Sequence, residues 1–282
     1  MGLVVAAARV RPAWGYSVRY AGASAAQPAL PLPPPSSVVG FYAEALARVL
    51  GLPEAGRHGR HGVAGVLASY TVAAGAGLDP RSPVGVAVYG DAGRVLSLVY
   101  QRKRREWEKY AWAVQSMGAA YAPSALLCLA IVVDVDGVAE RLGAGVDEVL
   151  EALGAGGWRL GSKEGIVFVE WSGVVEAEAL GGGWDGVFRS VLYQEAGLVE
   201  PLDYGYVEVS MWGLEALRGR EGPVPTYKRF IVPASPSSTP SIIVPPPDAA
   251  RFRVRGRGVV VYGARVGGLD LYLASTRGGG VG

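Results

Sequence analysis

The 282-residue chain has only two histidines, His58 and His61, three positions apart in Arg57-His58-Gly59-Arg60-His61-Gly62. Imidazole titrates near neutrality, so the pair could act as general acid or base in metal-independent RNA cleavage. The same glycines and arginines also describe an exposed loop that contacts phosphate or only solvent. Nothing in the spacing fixes the geometry that proton transfer needs. A second chemistry lies in the cations. Arg102-Lys103-Arg104-Arg105 precedes Trp107, Tyr110 and Trp112. Cations hold phosphates while rings stack on bases, which suits single-stranded RNA. A solvated helical face with Trp107 or Trp112 in the core is the equal alternative. Arg251, Arg253, Arg255 and Arg257 alternate with Phe252, Val254, Gly256 and Gly258. On a strand all four would share one face. Like charges in a row repel and need a counter-surface, either acidic side chains or, the reading preferred here, a polyanion.

Other motifs exclude more than they assign. Gly156-Gly157-Trp158-Arg159-Leu160-Gly161-Ser162-Lys163 has part of the lettering of a phosphate-binding P-loop. That loop requires Lys before Ser or Thr and a helix after it; here Ser comes first and a strand follows. Nucleotide hydrolysis is set aside, and a turn that shows Arg159, Ser162 and Lys163 to a phosphate backbone is kept. Asp134 and Asp136 lack a third ligand for calcium and read as charges at the end of a buried strand. Cys128, the one cysteine, cannot form an internal disulfide and reads as a buried, inert thiol. No metal or cofactor is implied, and no hydrolase elbow, zincin or dinucleotide fingerprint occurs.

These residues need elements to hold them. Half of the residues are hydrophobic, so the chain is globular with an ample core. Leu3–Arg11 reads as a strand whose odd positions pass from Leu3, Val5 and Ala7 to Arg9 and Arg11. It would begin in a core and end at a basic surface. Trp14, Tyr16, Arg19 and Tyr20 form an aromatic and basic segment that leads to Pro33-Pro34-Pro35-Ser36-Ser37. Val38, Tyr42, Ala45, Leu46 and Val49 then share one helical face. Ser36 or Ser37 is a ready N-cap for a helix over 38–50, which Gly51 and Pro53 end. Free N–H groups and the helix dipole at that start suit a phosphate. A proline-rich loop before a core helix is the plainer reading.

Val63–Ala74 is ambiguous. Val84–Tyr89 and Arg94–Gln101 read as two strands about Gly90-Asp91-Ala92-Gly93. Ala125–Val135 is a continuous apolar run suited to a central strand. Val138–Leu142 and Val146–Leu153 make one helix or a broken pair. Ile166–Trp171 and Val174–Ala179 read as strands joined at Ser172-Gly173. Residues 185–282 are strand-like, with prolines over 233–247 too dense for regular structure. The order strand, helix, strands, strand, helix, strand is compatible with a split βαβ, ferredoxin-like domain carrying insertions.

Net charge is +2, so any nucleic-acid site must be a local patch. Arginine, the better fork for phosphate, far outnumbers lysine, which occurs only at 103, 109, 163 and 228. The absence of asparagine is compatible with a thermophilic source. The N-terminal apolar run is broken by Arg9 and Arg11, and Ala119–Val133 is too short to span a bilayer. A soluble, cytoplasmic protein is expected, with no membrane contact.

Residues 27–46, QPALPLPPPSSVVGFYAEAL, resemble a loop-to-helix signature of CRISPR-associated RAMP proteins, with Pro33 to Ser37 and Gly40 matching. Tyr110–Pro123 and Arg159–Val167 are similar to further segments of the same group, in the expected order. The likeness is to the family-five subunit of Cascade in its archaeal type I-A form. It implies an α+β fold: a ferredoxin-like (RRM/RAMP-type) domain over 1–180 with an inserted thumb-like segment, and a smaller β-rich region over 181–282. It also implies a non-catalytic role in antiviral defence, gripping the 5′ handle of CRISPR RNA and capping the backbone filament. Partners would be that RNA, the family-seven backbone subunit and the large subunit, with target DNA met only through the complex. Candidate RNA contacts are Arg19, Tyr20, Ser36, Ser37, Arg102, Lys103, Arg104, Arg105, Trp107, Arg159, Ser162 and Lys163. The alternative is a metal-independent endoribonuclease that processes repeat RNA. The type I-C relative uses Tyr, Lys and His, but no such trio can be placed here, because Lys163 has no adjacent His.

Overall fold

The computed structural model describes residues 2–18, 26–27, 29–53, 62–97, 112–161, 165–180, 186–203, 205–218, 227–239 and 241–276. His58, His61, Arg19, Tyr20, Arg102, Lys103, Arg104, Arg105, Trp107, Ser162 and Lys163 lie outside the described residues. The first part of the chain runs β1 (Leu3–Pro12), β2 (Gly15–Tyr16), β3 (Ala26–Gln27), α1 (Pro35–Val49), α2 (Gly62–Tyr70), β4 (Thr71–Leu78), β5 (Val86–Ser97), β6 (Trp112–Tyr121), β7 (Leu127–Asp134), α3 (Val135–Leu142), α4 (Val146–Ala155) and β8 (Val167–Glu176). One sheet takes the order β4-β7-β1-β8, and every neighbouring pair is antiparallel. Helices α1 and α2 come between β1 and β4 in the chain, and α3 and α4 between β7 and β8.

The middle strands have no polar face because both faces are covered. On β1, Val4, Ala6, Ala8 and Val10 join Leu127, Leu129, Ile131 and Val133 of β7 beneath the helices. Val5 and Ala7, with Cys128, Ala130 and Val132, face the other way. An uninterrupted apolar run such as that of β7 is the pattern a doubly covered strand requires. Burial pushes the Cys128 thiol pKa up, consistent with an inert core residue.

The second cover comes from the C-terminal part: β9 (Glu178–Leu180), β10 (Val187–Ser190), β11 (Gln194–Glu195), β12 (Val199–Pro201), β13 (Tyr206–Trp212), α5 (Glu215–Arg218), β14 (Tyr227–Pro233), β15 (Ile242–Ile243), β16 (Ala250–Val254), β17 (Val260–Val266) and β18 (Leu269–Ser275). Leu192, Tyr262, Leu271 and Leu273 pack on the outer face of the four-stranded sheet. Tyr193, Met211, Phe230 and Val232 instead join the helix-side core. A further cluster around Phe188, Val199 and Phe252 fills the C-terminal part itself.

Several local expectations change. Val63–Ala74 resolves into α2 followed directly by β4. Gly90-Asp91-Ala92-Gly93 is not a hairpin turn: β5 runs through it with a register shift between Asp91 and Arg94, and its antiparallel partner is β6. Such a shift is a bulge, which tolerates glycine as well as a turn does. Ser172-Gly173 is likewise internal to β8. The apolar segments after β7 are two helices. Asp134 caps the first, accepting from Gly137 N–H at 3.2 Å, and Gly143 ends it in the left-handed region at φ 68°. Asp134 therefore does a capping job, as a charge at a strand end can. Within α1, Val49 is 38 % exposed, whereas Val38, Tyr42, Ala45 and Leu46 are buried as the helical spacing predicts. Pro-dense 233–247 holds one two-residue strand, β15, paired with β5.

β8 is an edge. It pairs with β1 on one side, and among the described residues no strand pairs with the other. Phe168 on it is 61 % exposed.

Close approach of the two layers depends on glycine at β4. A Cβ at Gly77 would lie 1.9 Å from the Val191 carbonyl oxygen, where Tyr193 N–H donates to Ala76 O at 2.9 Å. Gly77→Ala should therefore lower stability by about 1–3 kcal/mol or more. Gly40, inside α1, has nothing within 4 Å of its Cβ position. Gly40→Ala should raise stability by up to about 1 kcal/mol, through helix propensity. Urea midpoints that move in opposite directions for the two variants check both statements.

Candidate nucleic-acid interface

Residues 14–18 form a hub. Gly15 and Tyr16 pair with Tyr121 and Ala120 of β6, and Ala122 N–H donates to Trp14 O at 2.9 Å. Ser17 Oγ donates to Gly118 O at 2.9 Å. On the other side Leu30 N–H donates to Val18 O at 2.8 Å, and the buried Tyr16 hydroxyl donates to Pro31 O at 2.6 Å. Gly161, at φ 70°, closes the group: a Cβ there would stand 2.7 Å from both Ser17 O and Val18 Cγ2. Three stretches far apart in the chain thus meet here: the proline loop, β6, and the turn after α4. Arg19 and Tyr20 follow Val18 in the chain, and Ser162 and Lys163 follow Gly161.

The proline loop is braced from beneath. Tyr193 OH donates to Pro33 O at 2.9 Å in a buried bond. Trp212 Nε1–H donates to Ser36 Oγ at 2.5 Å. The serines do not precede the helix as expected; α1 begins at Pro35, with Pro34 at the cap position and no side-chain cap bond. Proline suits the first helical position because it has no N–H to leave unpaired. That same economy weakens the helix start as an anion site. Pro34 and Pro35 have no N–H, and those of Ser37 and Val38 turn back to Pro34 O at 2.8 and 3.1 Å. Of the first turn, Ser36 alone keeps an N–H not committed to Pro34. Ser36 and Ser37 are both half-buried.

The turn after α4 presents a ring and a cation. Arg159 bridges to Ile166, with Leu160 N–H donating to Gly165 O at 2.7 Å. Trp158 is 45 % exposed, and its indole N–H donates to Glu44 Oε1 on α1 at 2.7 Å. The Arg159 guanidinium lies 5.5 Å from the Trp158 ring centroid, within cation–π range. A fixed ring beside a cation can stack a base and hold its phosphate. Sequence reading named Arg159 but missed Trp158; the signal was a tryptophan next to an arginine in a glycine-rich turn. It also missed Tyr89 and Tyr121, exposed neighbours on β5 and β6 with centroids 6.4 Å apart.

The end of β1 is not the basic surface expected. Arg9 contacts Asp79 at 3.2 Å and Glu170 at 3.0 Å, and Arg11 Nε donates to Glu170 at 2.9 Å. Arg81 Nε and Nη2 donate to Asp79 at 3.0 and 2.9 Å. Three arginines thus share two carboxylates, and most of the charge is spent inside the protein. Burial alone would raise the Asp79 pKa, but hydrogen bonds from Arg81 and Arg9 outweigh it and hold the carboxyl below its ordinary value. Glu170 is lowered mainly by its hydrogen bond from Arg11.

The proline loop, the turn after α4 and the β5–β6 pair of this strand-rich α/β chain are thus gathered on one short segment. The family model for CRISPR-associated protein (Cas_Cas5) matches residues 8–198, so the chain belongs to the Cas5 family of CRISPR-associated proteins, as the family-five resemblance implied. A CRISPR protein from Archaeoglobus fulgidus is similar in fold: it is 18 % identical, the match covers 95 % of this chain and 98 % of that one, and the TM-score is 0.51. A chain of a CRISPR RNA-guided surveillance complex is also similar, at 16 % identity over 81 % of this chain and 89 % of that one, with a TM-score of 0.39. No curated protein matches the sequence. Among the described residues, no helix is long and apolar enough to cross a membrane.

The ion-pair cluster has an acid-side signature. Both carboxyl pKa values are lowered in the folded state. Their stabilisation is therefore complete above the unfolded carboxylate values of about 4 and is lost as pH falls through the folded ones. At neutral pH Asp79→Asn should cost about 3 kcal/mol, the low end for a broken buried pair because Arg81 stays partly exposed. Stability curves from pH 7 to pH 2 should fall less steeply below pH 5 for the variant than for the parent protein.

Proposed function

We propose that this protein is the RNA-binding subunit of a type I CRISPR effector complex, Cascade, which grips the 5′ handle of CRISPR RNA and caps one end of the backbone filament. The observation that carries the reading is the hub at residues 14–18. In a Cas5-family chain it gathers three distant segments; its own continuation holds Arg19 and Tyr20, and that of the turn after α4 holds Ser162 and Lys163, with Trp158 and Arg159 alongside. We read the four-stranded unit as a ferredoxin-like, RAMP-type domain. Its β-α-β-β-α-β core and antiparallel order β4-β7-β1-β8 support that. The chain between β5 and β6, which contains Arg102, Lys103, Arg104 and Arg105, is taken as the thumb, and 181–282 as the smaller β-rich region. The family-seven backbone subunit, the large subunit and the guide RNA are the partners, and target DNA is met only through the assembled complex. The role is non-catalytic and cytoplasmic.

Filter binding in the presence of the backbone subunit tests the reading. RNA carrying the handle should bind more tightly than the same RNA with a scrambled 5′ end, and equal affinities would overturn handle recognition. Replacing Arg102 to Arg105 with alanine should weaken binding and flatten its salt dependence. Labelled repeat RNA incubated with the protein in EDTA should remain uncut, whereas a discrete product would restore the endoribonuclease alternative.

A further inference from the structure

Nine of the described arginines are paired within the protein. Arg9, Arg11, Arg48, Arg81, Arg189, Arg218, Arg229, Arg251 and Arg265 each meet a carboxylate within 4.0 Å. Among the described residues no carboxylate meets Arg253, Arg255 or Arg257, which follow one another where β16 runs into the turn before β17. β10, β16 and β12 form one small sheet. Phe188, Phe252 and Val199 point into its core cluster. The opposite face carries Arg189, directly across from Arg251, and Arg253, across from Glu200. On that face Asp248 and Asp270 neutralise Arg189, and Asp203 takes Arg251 at 3.0 Å. No ion pair joins Arg253 to Glu200 among the described residues.

The alternation expected for four arginines therefore breaks in two. Arg251 and Arg253 are on the strand; Arg255 and Arg257 lie beyond it and are exposed. Gly256 at φ 86° and Gly258 at φ 91° bend this stretch, and neither has an atom within 4 Å of its Cβ position. The turn is exposed, and three like charges fall within residues 253–257, an arrangement that costs repulsion. Arginine forks bind phosphate oxygens in pairs, and a repeated anion removes the repulsion. A fold that pairs most of its described arginines and leaves these three exposed keeps their charge available to something outside itself.

We propose that the Arg253–Gly258 turn is a sequence-independent contact for a nucleic-acid phosphodiester backbone, separate from the 14–18 hub. The inference rests on reading the protein as nucleic-acid-binding, but not on handle recognition. The full chain with the backbone subunit is titrated with handle-bearing RNA, scrambled RNA and duplex DNA over a range of salt concentrations. For the variant R253A/R255A/R257A, affinity should fall by the same factor for both RNAs. The slope of log K against log salt should lose about 2, three phosphates at roughly 0.7 each for a single strand. The triple lysine variant should keep the parent slope. A slope change confined to RNA identifies an RNA strand as the occupant; one confined to DNA, near 2.7 for a duplex, identifies target DNA. Parent slopes for all three polymers would overturn the proposal, and so would an equal loss from the single control Arg141→Ala. Handle preference is the ratio of the two RNA affinities in the unaltered protein, so its absence would fail the earlier reading without touching this one.

Discussion

Double coverage of the β1–β7 pair is the constraint on which the rest of the structure depends. Two adjacent strands with apolar side chains on both faces cannot meet water, so each face needs a lid. One lid is helical, and α1 is its centre: Phe41, Tyr42, Ala45 and Leu46 are all but inaccessible. The other is the C-terminal β-structure, which can approach only because β4 offers glycine at 75 and 77. Tyr193 N–H then finds a backbone acceptor on β4, while the Tyr193 hydroxyl reaches the proline loop.

That packing explains why the candidate interface is rigid. The proline loop is held from beneath by Tyr193 and Trp212 and from the side by Tyr16, so its carbonyls are already committed before any ligand arrives. Preorganisation of this kind lowers the entropy lost on binding. The polar groups that double coverage leaves at strand ends are likewise used internally. Asp134 becomes a cap, and Asp79 and Glu170 absorb Arg9, Arg11 and Arg81. Charge available to a partner is thereby concentrated at a few places rather than spread over the surface.

Features set by near neighbours in the chain were legible in the sequence. The apolar run at 125–135, the alternation of Leu3–Arg11 and the existence of α1 all follow from local periodicity. What was not legible depends on distant partners. Gly90-Asp91-Ala92-Gly93 has turn chemistry, yet pairing with β6 pulls it into a bulged strand. Arg9 and Arg11 read as a basic surface because their acids stand 70 and more positions away. Ser36 read as a cap because nothing local reveals that Pro35 opens the helix or that Trp212, 176 residues on, claims the hydroxyl. The Trp158 ring was not legible because the acid that fixes it, Glu44, stands 114 positions earlier in the chain.

The register of β1 also sets an order of events. Pro12 pairs with Val167 and Val4 with Glu176, while Leu3 pairs with Asp134. β1 is thus made well before the strands that complete its pairing. At synthesis rates of about 5–20 residues per second, roughly ten to thirty seconds separate its appearance from that of β8. During that interval Val4 to Val10 have no finished sheet to join, and loop closure over such separations is slow. Until β8 is made, β1 can pair only with β7, and its other edge has no strand to meet.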